Sequence, residues 1–264
     1  MIRNVLVFLG CGMALFAASA QAQPRGGPTY REAEGVLDHF LCYRLQNPDW
    51  FPPEELGFRD QFSKDPEPAF VQRRAFLCNP VEKDDRKRLH PEAHLLCYWI
   101  EGEKAPPQVR VANQLHPNQL LWLRKAALIC APTGKEEVKE GKPPNPEPPK
   151  IPAGLDHFKC YPQRLEGMQP PALRRQHNFT DQFHGYVLVN FSARFLCNPA
   201  AKYRWGRLET PVLHDFAHLV CYVTYPQVTQ NRRVRIANQF ERDATLDVLF
   251  LQMACFPSTK MVRR

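Results

Sequence analysis

Three short motifs occur in a fixed order four times along this 264-residue chain, and they constrain its fold more than any other feature. The first motif is His-x-x-Cys-Tyr, at residues 39–43, 94–98, 157–161 and 218–222. The second is Asp/Asn-Gln-Phe/Leu, at residues 60–62, 113–115, 181–183 and 238–240. The third is Cys-x-Pro-x-x-Lys, at residues 78–83, 130–135, 197–202 and 255–260. We call each set of three motifs a quarter, and the four quarters predict a repeated architecture.

The quarters group into two similar halves. Leu-Asp-His-Phe-x-Cys-Tyr at residues 37–43 returns at 155–161, and Phe-Leu-Cys-Asn-Pro at 76–80 returns at 195–199. Residues 132–152 carry seven prolines among lysines and glutamates, a composition typical of a semi-rigid, solvated linker. The sequence therefore predicts two domains, at residues 36–131 and 153–264, joined by a linker at 132–152.

The N-terminal segment has the composition of an export signal. Arg3 precedes an apolar stretch at residues 5–18, and the small-residue cleavage site Ala20-Gln21-Ala22 follows. The apolar stretch is too short for a stable transmembrane helix. We therefore expect a signal peptide at residues 1–22, cleavage before Gln23, and no transmembrane anchor after processing. A lipoprotein site at Cys11 is the alternative. The predicted location is the periplasm or the outside of the cell.

Removal of the signal takes away Cys11 and leaves an even number of cysteines. An even count in an exported chain predicts disulfide bonds. The four cysteines of each half allow three pairings, and the internal symmetry does not choose among them. We favour pairing within each quarter and none between the halves: Cys42 with Cys78, Cys97 with Cys130, Cys160 with Cys197, and Cys221 with Cys255.

Alternation of apolar and polar residues places the motifs on strands. At residues 109–115 and 234–240, apolar side chains recur at every second position, the period of a half-buried strand. Phe40 and Cys42 share one face, which we take as the core face because Lys159 occupies the other face in the second half. We expect the proline of the third motif to end each unit. The predicted fold class is all-β: two similar disulfide-stapled antiparallel domains, each a six-stranded sandwich or barrel with an internal two-fold repeat.

The motifs at residues 38–43 (DHFLCY), 61–62 (QF) and 77–83 (LCNPVEK) resemble an uncharacterised domain of secreted bacterial proteins that occurs singly or in tandem. The resemblance covers both halves. It implies a bacterial, exported protein and supplies no catalytic residues. The chain departs from the pattern after the second motif, where a glycine is expected and other residues stand: Ser63, His116, His184 and Glu241.

Two kinds of metal site are conceivable from these motifs, and neither is favoured. His and Cys are zinc ligands, but residues three apart on a strand point to opposite faces, so His39 and Cys42 cannot easily share an ion. Calcium at the second motif is disfavoured because two of its four copies begin with Asn. No metal or other cofactor is predicted. We instead expect the first residue of the second motif to bond the backbone of its own turn, at Asp60, Asn113, Asp181 and Asn238.

The charge of the chain predicts an anionic partner. The formal net charge is +8 at pH 7, and paired arginines occur at residues 73–74, 174–175, 232–233 and 263–264. Such charge favours an anionic envelope polymer or surface. No nucleic-acid-binding module is recognisable, so specific base recognition is not predicted. The lysines of the third motif have a simple interpretation as solvated surface charges, and they are also candidate anion contacts: Lys83, Lys135, Lys202 and Lys260.

The repetition argues against catalysis. Hydrolytic sites need unlike groups converging on one point, whereas the motifs repeat the same residues in every quarter. The chain has no G-x-S-x-G, no H-E-x-x-H and no glycine-rich phosphate loop. We therefore predict an exported, non-catalytic binding or structural module of the cell envelope or extracellular space. The alternative is a secreted hydrolase with its site in the non-repeated loops, and the segments that differ most between the halves are 46–56, 101–108, 166–177 and 224–233.

Overall fold

The computed structural model describes residues 29–46, 50–103, 106, 108–164 and 173–261, so the predicted signal peptide lies outside the described residues. Within these residues, one short helix, α1 (Tyr30–Val36), accompanies fourteen antiparallel strands, which confirms the all-β prediction. No helix in the described ranges is long and apolar enough to cross a membrane. The strands of the first half are β1 (His39–Leu45), β2 (Trp50–Arg59), β3 (Glu67–Lys83), β4 (His94–Ile100), β5 (Val109–Ala112), β6 (Gln119–Leu121) and β7 (Leu128–Glu137). Those of the second half are β8 (His157–Pro162), β9 (Leu173–Thr180), β10 (Gly185–Arg204), β11 (Arg207–Thr210), β12 (His218–Tyr225), β13 (Thr229–Ala237) and β14 (Ala244–Met261).

Eight of these strands close into a ring. The order around it is β1, β3, β4, β7, β8, β10, β12 and β14, and β14 pairs with β1 again. Each quarter supplies two neighbouring ring strands, which carry its first and third motifs. Because successive side chains on a strand alternate in direction, every second residue of the motifs points into the ring.

The ring joins the two halves into one body, which corrects the prediction of two separate domains. β7 of the first half pairs with β8 of the second, with Cys130 opposite Phe158. β1 and β14 pair in the same way, with Phe40 opposite Cys255. Either half alone would leave ring strands with unpaired edges, which are unfavourable in solution. The halves therefore complete a single sheet instead of building one each.

The inside of the ring is lined by cysteine. The structure has the four disulfides favoured from the sequence: Cys42–Cys78, Cys97–Cys130, Cys160–Cys197 and Cys221–Cys255. Neighbouring disulfides touch, with 3.5 Å between the Sγ atoms of Cys42 and Cys255 and 3.8 Å between those of Cys130 and Cys160. A cavity of only about 20 Å³ remains between the sulfurs and the surrounding Phe, Leu and Met side chains. Such an apolar cavity stays dry, so the centre of the molecule is a packed ring of sulfur atoms.

The other long strands lie outside the ring and pair with opposite quarters. β2 pairs with β3 of its own quarter and with β10, while β9 pairs with β10 of its own quarter and with β3. β13 likewise reaches β7, and β5 reaches β14. A second core, including Leu41, Tyr43 and Leu77, fills the space outside the ring. Both faces of the ring strands are therefore buried. The sequence predicted that the cysteine face alone faces a core, and the second core corrects that prediction.

The prolines of the third motif lie within strands, which corrects the expectation that they end each unit. Pro80 lies opposite Phe40 of β1, and β4, on the other side, pairs with β3 only as far as Cys78. Pro132 lies opposite Leu95 of β4, and β8 likewise pairs with β7 only as far as Cys130. A residue without an N–H is tolerated at such positions because it has a partner strand on one side only.

The predicted linker also needs correction, because residues 132–137 belong to β7. Residues 145–150 of the proline-rich segment contact the folded body. Gly134 lies so close to the carbonyl group of Lys150 that a Cβ at Gly134 would overlap it. Arg235 donates hydrogen bonds to the carbonyl oxygens of Asn145 and Glu147. The segment is therefore docked at these points, although most of its side chains face solvent.

Candidate functional site

The histidine of the first motif and the lysine of the third motif meet at one end of the ring. Each histidine begins a ring strand, and the lysine of the same quarter lies two residues beyond the histidine's cross-strand neighbour. His39, for example, lies opposite Val81, and Lys83 follows. We call these residues the rim: His39, Lys83, His94, Lys135, His157, Lys202, His218 and Lys260.

The rim histidines are buried and neutral at pH 7. Burial lowers the pKa of each imidazole, and the lysine of the same quarter lowers it further. The pKa falls to about 3 for His39 and to about 4 for His157. Neither ring nitrogen of His94 has a hydrogen-bond partner among the described residues. Within those residues, no group of three or more His, Cys, Asp or Glu side chains is arranged to hold a metal ion.

The rim lysines are not solvated surface charges, which corrects that interpretation. Lys135 Nζ donates to Asn79 Oδ1 at 2.7 Å and lies 4.4 Å from the ring centroid of Phe183. Lys202 Nζ donates to Gln239 Oε1 at 2.7 Å, and Lys83 Nζ to Asp84 Oδ2 at 2.5 Å. Lys260 Nζ lies 3.9 Å from the ring centroid of Phe62. Burial lowers the pKa of Lys135 and of Lys260 to about 8.

These partners give the lysines a role within the fold. Their ammonium groups contact side chains of neighbouring elements, and cation–π contact with an aromatic ring is favourable where water is excluded. The four lysines are also distributed around the ring, one to each quarter, instead of converging on one point. Their placement therefore gives no support to the predicted anion contacts at Lys83, Lys135, Lys202 and Lys260.

The second motif forms the turn expected from its sequence. Asp181 Oδ1 accepts hydrogen bonds from the backbone N–H groups of Phe183 and His184 at 2.8 and 3.1 Å. Asn113 Oδ1 accepts in the same way from Leu115 and His116, at 2.9 and 3.0 Å. Asp60 and Asn238 make equivalent bonds. These bonds confirm the prediction that the first residue of the motif bonds the backbone of its own turn.

In the first and third quarters, the second motif also ties one quarter to the other. Tyr43 of the first quarter donates its hydroxyl proton to Asp181 Oδ2 of the third at 2.6 Å. Tyr161 of the third quarter donates to Asp60 Oδ2 of the first at 3.0 Å. The same two carboxylates each accept a further bond from an asparagine side chain at 2.8 Å, from Asn79 and Asn198.

In the second and fourth quarters, asparagine replaces aspartate and the direction of the hydrogen bond is reversed. Asn238 Nδ2 donates to the hydroxyl oxygen of Tyr98 at 2.6 Å, and the Tyr98 hydroxyl donates to Glu241 at 2.9 Å. Asn113 Nδ2 donates to the Tyr222 hydroxyl oxygen at 2.9 Å, and that hydroxyl donates to Gln119 at 2.8 Å. All four tyrosine hydroxyls are therefore satisfied, as buried polar groups must be.

The most distinctive surface feature lies on one quarter only. β10 and β11 form a hairpin whose tip is Trp205-Gly206, between Arg204 and Arg207. The Trp205 side chain is 89% exposed, more than any other large apolar side chain described. Sequence reasoning missed this residue, although Gly206, just after the third motif, was a usable signal for a tight hairpin turn.

A groove of about 400 Å³ lies at the base of this hairpin. Its walls include Arg59 and Gln61 from the first quarter and Leu208, Leu213 and Asp215 from the third. The exposed Leu208 belongs to both the hairpin and the groove wall. The hairpin and the groove therefore form one continuous surface, with Leu208 shared between them.

The non-repeated loops that were expected to carry specificity are only partly described. Residues 47–49, 104–105, 107 and 165–172 lie outside the described residues. Part of the remainder is structural, since Gln46 N–H donates to the carbonyl oxygen of Asp247 at 2.9 Å.

No protein-family model matches this chain, and comparisons with curated proteins and with solved structures give no match. The likeness to an uncharacterised secreted domain therefore stays a prediction from the motifs.

Proposed function

We propose that this protein is an exported, non-catalytic binding or structural module of the cell envelope or extracellular space. Export is supported by the four disulfides at the centre of the fold, because such bonds persist in oxidising compartments. It is also supported by the signal-like composition of residues 1–22.

One observation carries the non-catalytic part of the proposal: the tyrosines of the first motif and the Asp or Asn residues of the second bond to one another within the fold. The Tyr43–Asp181 and Tyr161–Asp60 contacts are reciprocal ties between two quarters. Catalysis instead requires unlike groups that face a substrate. The chemistry that the sequence repeats four times is therefore used for assembly, and binding falls to surfaces that are not repeated.

The proposed partner is an anionic polymer or surface of the envelope. The net charge of +8 favours such partners through long-range attraction. The proposal includes no specific recognition of nucleic acid and no cofactor.

The test combines location with binding. Producing cells are fractionated, the exported protein is sequenced from its N-terminus, and the purified protein is mixed with isolated envelope at low and raised salt. We expect a mature N-terminus at Gln23 and envelope binding that weakens with salt. Intact Met1 on protein held in the cytoplasm would contradict export. Hydrolysis of a glycan, ester or peptide substrate by the purified protein would establish the hydrolase alternative.

A further inference from the structure

Trp205 is held in a backbone conformation that costs free energy. Both turn residues have positive φ, 50° at Trp205 and 75° at Gly206. Glycine adopts this conformation freely, but a bulky side chain is strained there. Trp205 is 89% exposed, and its described ring contact is the Arg204 guanidinium, 5.9 Å from the ring centroid. Apolar packing within the protein therefore offsets little of this cost. A strained and exposed aromatic residue is a reason to look for a function outside the fold.

The base of the hairpin is firmly anchored. Lys202 pairs with Thr210 across the hairpin and with Phe58 of β2 on the other side. Lys202 Nζ also bonds Glu209 Oε2 at 2.8 Å, and Arg204 Nε bonds Glu209 Oε1 at 2.8 Å. The tip is therefore presented at a fixed position, which lowers the entropy cost of binding.

The surroundings of Trp205 combine apolar and cationic groups. Leu208 and Leu213 are about half exposed beside the hairpin. Arg204 and Arg207 flank the tryptophan, and exposed Arg59 lies on the adjoining groove wall. Tryptophan prefers the boundary between water and hydrocarbon, and arginine near a membrane surface is attracted by anionic lipids. The carboxylate of the hairpin, Glu209, is already bonded to Lys202 and Arg204. Gln61 and Asp215 lie on the groove wall and not on the hairpin.

We propose that the hairpin tip at residues 204–208 binds the surface of an anionic lipid bilayer. The Trp205 ring and Leu208 enter the headgroup region, while Arg207 contacts lipid phosphates. This inference rests on the proposed function, because an exported protein meets the outer face of a membrane or an outer membrane. It names the partner of that module and the residues that contact it.

The test measures binding of the purified protein to lipid vesicles by sedimentation. One set of vesicles is phosphatidylcholine, and the other contains about a third phosphatidylglycerol as the anionic lipid. The variant Trp205→Asn suits the turn, because Asn-Gly is a favoured pair for two positive φ angles, so it keeps the fold. The matched control is Trp122→Asn, which replaces a half-exposed tryptophan directly after β6.

We expect the wild-type protein to bind anionic vesicles more tightly than neutral ones. Trp205→Asn should weaken that binding by about tenfold or more, from the loss of a buried aromatic side chain. Arg207→Glu should weaken binding to anionic vesicles only, and Trp122→Asn should bind as the wild type does. Equal binding by wild type and Trp205→Asn overturns the proposal. Binding to envelope polysaccharide but to neither vesicle also overturns it, and leaves the proposed function standing.

Discussion

Asp181 shows how the fold tolerates a buried carboxylate. An unpaired charge is costly away from water, but this carboxylate accepts bonds from the Tyr43 hydroxyl, the Asn79 amide and two backbone N–H groups. Burial and the neighbouring Asp181 charge raise the pKa of Tyr43 well above its ordinary value. The tyrosine therefore keeps its proton at neutral pH and remains a donor.

Removing that donor should destabilise the protein without disturbing its shape. We expect Tyr43→Phe to lower the free energy of unfolding by about 1.5–3 kcal/mol, the usual worth of a hydrogen bond to a charged group. Urea denaturation at pH 7 measures the loss. The control is Tyr225→Phe, since Tyr225 is half exposed. An equal effect of the two substitutions would show that the Tyr43–Asp181 contact is not a tie between quarters.

The rim histidines should make the protein sensitive to acid. Their pKa values are lower in the folded state than the ordinary 6.5, so the unfolded chain binds more protons as the pH falls below about 6.5. Stability should be full above that value and decrease below it. Each histidine contributes a slope of at most about 1.4 kcal/mol per pH unit.

Between pH 5 and 6, we expect His94→Phe to reduce the dependence of the free energy of unfolding on pH by the contribution of one histidine, at most about 1.4 kcal/mol per pH unit. The substitution suits the site because His94 is buried and its ring nitrogens bond no described residue. Urea denaturation at several pH values gives the slope, which is independent of any constant loss of stability. The matched control is His90→Phe, at an exposed position. An unaltered slope for His94→Phe would mean that its imidazole is not held neutral by burial.

At the scale of the elements, the docking of the proline-rich segment depends on a glycine. Gly134 faces the Lys150 backbone too closely for a Cβ, so Gly134→Ala must push residues 149–150 away. We expect a loss of about 1–3 kcal/mol in the free energy of unfolding, the usual cost of overpacking, and faster proteolysis of the segment. Gly35→Ala, in α1 with no atom within 4 Å of the added Cβ, should be neutral or slightly stabilising. Equal protease resistance of Gly134→Ala and wild type would contradict the docking.

The strands and the presence of disulfides could be predicted from the sequence. The pairing of outer strands with a strand of the opposite quarter could not. Alternation identified strands because one face of each is apolar. The even number of cysteines predicted disulfides, and the structure has the favoured pairing of Cys42 with Cys78, although the internal symmetry did not choose it. The pairing of β2 with β10 in addition to β3 could not be predicted, because the quarters are so alike that pairing within a half and across the halves offers the same local chemistry.

The same limit explains the errors at the candidate site. Lys135 was expected to be solvated because the sequence around it does not show that its side chain contacts Asn79 and Phe183, which belong to two other quarters. Trp205 was missed because an exposed residue in a left-handed turn leaves no periodic pattern. Contacts that depend on distant segments are not encoded in local spacing.

At the scale of the whole molecule, the halves are joined by strand pairing and not by covalent bonds other than the chain itself. The four disulfides all lie within quarters. The β1–β14 and β7–β8 pairs, the exchanged outer strands and the Tyr–Asp ties all cross between the halves. The central claim is therefore that the four quarters form one cooperative unit around the ring of sulfur atoms.

That claim is tested most directly by a single cut in the chain. A specific protease site is placed at exposed residues 139–142, the purified protein is cleaved without reductant, and its mass is measured by size exclusion in buffer and in urea. We predict one particle of full mass in buffer with one cooperative unfolding transition, and two separate fragments, each with two intact disulfides, in urea. Two folded halves that separate in buffer and unfold independently would contradict the closed ring.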